Sequence, residues 1–432
     1  MHIKKHLSFS AIRKLISERI SGIEDFRQKG KIEYSLHDCC QSAFAMMFFQ
    51  DPSINAFQQR LHDKQHLNNL KTMFNVSAIP QSTQLRTALD DIPSVHIEEI
   101  FEDLFRPLQR GKQLELFEFM DGKYLIPLDG VQYFSSDAIS CNCCLRKVIN
   151  KTTNYYHQVV AATIVCPGIK QVIPLAPEPI QNFDGSTKQD CEINAGKRIV
   201  HKIRAAHPKL RIIIVGDGLY SKQPFIDELK RAGMSFILVA KPDDHIILNQ
   251  WFSDFKKLGE THRLEIKDAK KRRHVYEWAN DIPLNGTKDA DNVNYFEYTM
   301  FKGNKATYHN SWVTDIPITG DNIVDLVKGG RARWKIENEA FNTLKNQGYH
   351  LEHNFGHGEK HLSYNLLLFN FLAFCTHQIL ELSDMHYQQC RGKFTSRKEF
   401  WNQLRCTIRI LIFPSFDSLL QFIIDPESGI PP

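Results

Sequence analysis

The chain has 432 residues, 42% hydrophobic and 24% charged, which is the balance of a folded protein with material for two or three domains and excludes a disordered one. Lys and Arg outnumber Asp and Glu by 54 to 49, for a formal net charge of +5. So mild an excess permits nucleic-acid binding without demanding it, because local clustering matters more than the total. The opening residues Met1-His2-Ile3-Lys4-Lys5-His6 carry no apolar segment of the secretory kind, so the ten cysteines are expected as reduced thiols in the cytoplasm.

Up to residue 122 the pattern is helical. Residues 9–26 place Ile12, Leu15, Ile16, Ile20 and Ile23 at helical spacing, and residues 43–49 are buried-helix material. Residues 68–76 and 79–86, parted by a Pro-marked break, predict two short helices compatible with a helix-turn-helix and thus with DNA contact. From Tyr124 the pattern changes to strands at 124–129, 155–165 and 172–176. A helix at 190–206, a strand at 210–215, a helix at 222–232 and a strand at 236–240 follow. Three strands, helix, strand, helix, strand is the order of a ribonuclease-H-like α/β core. Residues 243–318 break that rhythm with aromatic strand-like runs at 274–278 and 295–301, and the remainder returns to helices.

The expected division is therefore a helical unit at 1–122, the first part of the core at 123–242 and a β-rich insertion at 243–320. Core completion at 321–380 and carboxyl-terminal helices at 381–432 follow. Residues 366–375 are too few to span a bilayer and predict a core helix, with no membrane as partner. Residues 426–432 are expected to fray.

Three carboxylates stand out. Asp129 follows an apolar strand and precedes Gly130; Asp217 ends another between Gly216 and Gly218. Glu337 lies in the helix-compatible run 331–345, where Trp334, Ile336, Phe341 and Leu344 form an apolar stripe. Each aspartate alone would suit a turn or a helix cap. Three carboxylates converging from separate elements can hold two divalent cations for in-line displacement at a phosphodiester.

Several segments carry a family resemblance: Ile126-Pro127-Leu128-Asp129-Gly130, Lys188-Gln189-Asp190-Cys191-Glu192, Val215-Gly216-Asp217-Gly218-Leu219-Tyr220, Arg333-Trp334-Lys335-Ile336-Glu337 and His353-Asn354-Phe355-Gly356-His357-Gly358. The chain resembles bacterial cut-and-paste DDE transposases of the insertion-sequence-four type. The resemblance implies a ribonuclease-H-like fold interrupted by the β insertion, with Asp129, Asp217 and Glu337 holding two Mg²⁺, for which Mn²⁺ substitutes. It further implies a DNA substrate, comprising the element's terminal inverted repeats and target DNA, a homodimeric synaptic complex and a place at the bacterial nucleoid. The implied pathway is hydrolysis at the element end, a hairpin intermediate, its reopening and strand transfer to target. The alternatives are a stand-alone ribonuclease-H-like nuclease and a non-catalytic, inactivated or regulatory DNA-binding derivative.

The family's helix signature is Tyr-x2-Arg-x3-Glu-x6-Lys, and this chain departs from it twice. Arg333 and Glu337 keep their spacing, but Gly330 stands at the tyrosine position and Leu344 at the lysine position. Lys345 comes one residue late, turned by about 100° on an ideal helix unless the helix bulges. Glu339 competes with Glu337 but would break the arginine spacing. Arg333 is expected on a phosphate near the scissile bond or in an ion pair with Glu337. Trp278, beside the basic run containing Lys271 and Arg272, is the candidate for stacking on a flipped base, although an inward-facing strand position is the favoured reading of it; Trp312 reads as strand core. Finally, Cys141 and Cys144 with His157 could form part of a zinc site whose fourth ligand is not evident. His350, His353, His357 and His361 read as backbone or DNA contacts.

Overall fold

A computed structural model describes residues 5–25, 27–28, 30, 32–60, 64–182 and 189–427. Lys188, quoted above, and most of the expected carboxyl-terminal tail lie outside the described residues. Among the described residues there are twelve strands: β1 Glu118–Phe119, β2 Lys123–Ser136, β3 Leu145–Ile149, β4 Thr152–Ile164, β5 Ile173–Pro174, β6 Glu178–Ile180, β7 Ile212–Gly216, β8 Ser235–Val239, β9 His262–Lys267, β10 Arg272–Pro283, β11 Asn292–Lys302 and β12 Lys305–Thr314. They form one sheet in the order β3-β4-β2-β7-β8-β12-β11-β10-β9, with β5 and β6 on β4 and β1 on β2.

The parallel centre is β2, β7 and β8. β7 reads Ile-Ile-Ile-Val-Gly and is buried throughout, as a strand covered on both faces must be. The helices Glu192–Ala206 and Gln223–Arg231 supply the crossovers, burying Ala195, Ile199, Val200 and Ile203 from the first and Phe225, Ile226 and Leu229 from the second. The short strand β3 has no counterpart in the sequence reading, and the strand expected at 172–176 shortens to two residues.

The insertion continues the core sheet: β12 pairs antiparallel with β8, Trp312 facing Val239. It also contains a helix, Ile246–Leu258, that strand periodicity did not suggest. Register fixes where these strands reach. Gly216 is level with Leu238 in β8, and the level of Val239 passes through Trp312 and Phe296 to Trp278. From Trp312 back to Lys305 the strands run seven residues past the carboxyl end of β8. That overhang is about 23 Å at ~3.3 Å per residue.

The terminal helices build a second body together. Phe9, Phe48 and Phe74 from the amino-terminal helices meet Trp401 and Phe416 from the carboxyl-terminal ones, with Phe9 and Phe416 ring centroids 4.7 Å apart. The Asn69 amide donates to the carbonyls of Ile408 and Leu411. The break between the helices Lys64–Phe74 and Ser82–Asp90 is pinned by Asp38, which accepts from the Ser77 and Ala78 amides at 2.8 and 3.2 Å. Leu362–Ser383, 22 residues long, is apolar enough to cross a membrane by length and composition, longer than the sequence reading allowed; 83% of its most apolar window is buried inside the protein. It serves as the core helix expected from its composition.

Asp90 caps that helix from a distance. Its carboxylate accepts from the amides of Glu359, Lys360, His361 and Leu362 at 2.8–3.1 Å, which holds its pKa below the usual range despite partial burial. Gly358, at φ +67°, leaves room for it; a Cβ there would lie 2.4 Å from the Asp90 oxygen. Asp90→Ala is expected to destabilise by about 1–2 kcal/mol in urea titrations at neutral pH. Because the folded-state pKa is depressed, the cap's contribution is present above the unfolded value and fades as pH falls through the folded one. An unchanged midpoint at neutral pH would show that the four bonds contribute nothing.

Candidate active site

Pro127 and Val215 are the last residues of β2 and β7 to pair, and Asp129 and Asp217 each lie two residues beyond them on adjacent chains. Asp217 stands at a strand end as expected. Asp129 does not, because β2 runs on to Ser136, paired with β4 through Asp129↔Ala161. Its carboxylate is largely buried but reachable, since β7 stops and opens one edge of β2.

Glu337 reaches the pair through Arg333, whose Nη1 donates to Glu337 at 2.8 Å and to Asp129 at 3.3 Å. The ion pair expected of Arg333 is thus present, and the side chain stands among the carboxylates. Burial pushes Asp129 up to about 7, against the opposing charge of Arg333; Glu337, Glu192 and Asp217 add to the rise. Asp217 accepts the Leu219 amide at 2.9 Å.

Glu192 is a fourth carboxylate, quoted above in a motif but given no role. It opens the helix Glu192–Ala206 and accepts from the Tyr220 hydroxyl at 3.0 Å and the Gln158 amide at 3.4 Å. The glycines beside the aspartates serve this packing. A Cβ on Gly130 would lie 2.3 Å from the Glu192 carboxylate, and one on Gly216 would lie 3.0 Å from the Tyr220 ring. Room for Glu192 and Tyr220 is thus a direct reason for glycine at both positions.

The glutamate helix explains both departures from the family signature. Residues Ile336–Phe341 form a π-helical turn, which takes up one extra residue. Lys345 therefore returns to within about 20° of the Glu337 direction, as a seven-residue spacing would give on an ideal helix. Its ammonium pairs with Glu352 at 2.8 Å. At Gly330 a Cβ would strike the Trp312 indole at 2.6 Å, so the fully buried tryptophan occupies the space a tyrosine there would need. Ile336, Phe341 and Leu344 are buried as the stripe predicts, but Trp334 is 48% exposed, its ring 4.9 Å from the Arg333 guanidinium.

Trp278 is 5% exposed and stacks on His262 at 5.4 Å. As placed it offers no free face to a base, and the inward-facing alternative describes its position. Lys271 sits in the turn between β9 and β10 and Arg272 opens β10, where Asp268 binds Arg272 and accepts the Lys270 amide. That turn and the one between β11 and β12 form the tips of the overhang, where Lys267, Lys270, Lys271, Lys302 and Lys305 are exposed. They stand on the side of the sheet where the aspartates lie.

Three or four carboxylates against one guanidinium form a set of hard oxygen donors with excess negative charge, which suits divalent cations. A cation held by Asp129 would have to displace its proton. Divalent-cation affinity is therefore expected to rise roughly tenfold per pH unit up to about 7 and to level off above. Titration calorimetry at several pH values checks this; affinity independent of pH below 7 would refute it.

Away from these carboxylates, Cys141, Cys144 and His157 come together, joined by His357 from the loop after the glutamate helix. His357 does make the backbone contact expected of it, Nδ1 to the Gly358 carbonyl, but its other nitrogen joins partners that the sequence reading did not foresee, because the nearest lie about 200 residues earlier in the chain.

No curated protein matches the chain significantly. Residues 153–375 match the family model described as the transposase DDE domain. The match includes Asp217 and Glu337 and begins after Asp129, whose place in the site rests on geometry. With just over half of its residues matched, and its carboxylates gathered at one edge of a mixed α/β sheet, the chain belongs to the transposase DDE domain family.

Proposed function

We propose that this transposase is a cut-and-paste enzyme of the insertion-sequence-four type. In this reading Asp129, Asp217 and Glu337 hold two Mg²⁺ in a ribonuclease-H-like core, and Mn²⁺ can replace them. The observation that carries it is the Arg333 bridge between Asp129 and Glu337, beside Asp217 on the adjoining strand. Bound there, the cations would polarise the phosphate and lower the pKa of the attacking water.

The chain's own groups do the rest. Asp129, whose pKa both other carboxylates help to raise, would give up its proton on holding a cation. Arg333, whose Nη1 serves both carboxylates, is poised to exchange a carboxylate oxygen for a phosphate oxygen. Trp334, exposed beside it, is better placed than Trp278 to stack on a base displaced during hairpin formation. Lys345, on the Glu337 side of its helix, and the lysines of the overhang, with Lys271 and Arg272 at its tip, would hold the flanking backbone. Recognition of the terminal repeats falls to residues 1–122, and catalysis to a homodimer in which two element ends are held together.

The test is incubation of end-labelled DNA carrying the element's terminal repeats, with Mg²⁺ or with chelator, read on denaturing gels. Metal-dependent hairpin ends are expected. Nicks without hairpins would mean a plain nuclease, and sequence-specific binding without cleavage would mean a non-catalytic derivative.

A further inference from the structure

We propose that Cys141, Cys144, His157 and His357 form a structural zinc site that ties the first hairpin of the core to the loop following the glutamate helix.

The distances are those of a tetrahedron around one ion. With Zn–S of about 2.3 Å and Zn–N of about 2.0–2.1 Å, ligand atoms stand about 3.8 Å apart for S–S, 3.6 Å for S–N and 3.3 Å for N–N. Here the two Sγ atoms are 3.7 Å apart. His157 Nε2 lies 3.6 Å from Cys141 Sγ and 3.5 Å from Cys144 Sγ. His357 Nε2 lies 3.4 Å from Cys144 Sγ and 3.1 Å from His157 Nε2, and all four atoms fall within 4.8 Å of one another. Two thiols and two imidazoles packed edge to edge have little reason to converge otherwise. A disulfide would need the sulfurs about 2 Å apart, and both cysteines are free.

The surroundings fit an ion as well. Cys141 and Cys144 form a tight turn in which the Cys144 amide donates to the Cys141 carbonyl and the Cys141 amide points at Cys144 Sγ, 3.4 Å away. Such an N–H stabilises a thiolate. His357 Nδ1 donates to the Gly358 carbonyl at 2.9 Å, which fixes the tautomer and leaves the Nε2 lone pair facing the sulfurs. The rings of His157 and His357 stack on each other and pack against Phe134, which covers the cluster with apolar surface. Four protein ligands leave no open position, so the site is structural. Its ligands come from the connection between β2 and β3, from β4, and from the loop that leads from Glu337 into Leu362–Ser383. The ion would fasten the strand bearing Asp129 to the segment bearing Glu337.

Elemental analysis of the native chain, purified under reducing conditions, is expected to give one zinc per chain, retained in excess Mg²⁺. Cobalt reconstitution should give the thiolate charge-transfer band and the intense visible bands of a tetrahedral ion. Cys144→Ser abolishes both, and His357→Ala weakens zinc binding by at least about 100-fold. Cys143→Ser, in the same turn, and Asp129→Asn, among the carboxylates, leave stoichiometry and spectrum unchanged. Absence of zinc after refolding with it, or a cobalt spectrum lacking thiolate absorption, overturns the proposal. So does equal loss in Cys143→Ser. Should Cys144→Ser fail to fold, the cobalt spectrum of the native chain still identifies the ligand set.

Discussion

Asp217→Asn is expected to lower strand cleavage at the element's ends by at least about 10³-fold while leaving DNA binding and the fold intact. The side chain is one of the hard donors at the open edge of β7, and the lost charge stabilisation is worth several kcal/mol in the transition state, at 1.36 kcal/mol per factor of ten. Asparagine can still accept the Leu219 amide, so the turn survives. Glu192→Gln separates the triad from its neighbour. Glu192 is held by Tyr220 and Gln158 and stands outside the Arg333 bridge, so its neutral replacement should cost no more than about tenfold. A loss as deep as that of Asp217→Asn would make Glu192 a fourth essential carboxylate. The cluster also opposes folding when no cation is bound. Asp129 has a folded-state pKa raised to about 7, so its ionisation removes stability as pH climbs from the unfolded value to about 7. Asp129→Asn should consequently raise the melting temperature of the cation-free chain at pH above about 7, the opposite of its effect on cleavage.

Phe48→Ala is the largest expected stability loss, about 3–5 kcal/mol. The ring is fully buried and lies within 4.6–5.7 Å, centroid to centroid, of Phe9, Phe74, His377, Trp401 and Phe416. Removing it leaves a cavity bounded by rigid rings that cannot collapse into the space. Leu116→Ala, at a half-exposed position, should change stability by no more than about 0.5 kcal/mol. Urea midpoints compare the two, and a loss below about 1 kcal/mol for Phe48→Ala would mean that the two ends of the chain do not share this core.

The parallel centre was legible because each of its strands contains a short apolar run, which needs no distant partner to interpret; the Gly-Asp stop was read correctly after β7, whereas β2 runs on past Asp129-Gly130 to Ser136. Glu337 was legible through one spacing, four residues from Arg333, which a helix turns into an ion pair. What escaped was set by distant contacts. The packing of β10 on β9 and the openness of the glutamate helix, neither visible in the local sequence, decide that Trp334 and not Trp278 meets solvent. His357 reads as a loop histidine until the fold brings it to Cys144. The π-helical turn leaves no local mark either, so the late lysine looks like a defect in the signature when it compensates for the bulge. Gly330 likewise looks like a lost tyrosine until Trp312 is seen against it.

The overhang of β9–β12 bears on how a duplex would enter the site. These strands are hydrogen-bonded through β8 into the sheet that carries both aspartates, so they form a fixed flange and not a hinged jaw. A flange about 23 Å tall is the length of six or seven stacked base pairs, and it cannot fold down over them. The DNA must bring its own curvature to meet it. Ends that bend readily beside the scissile phosphate would then be favoured over stiff ones of equal contact potential, and flexibility of the repeat would count as part of its recognition.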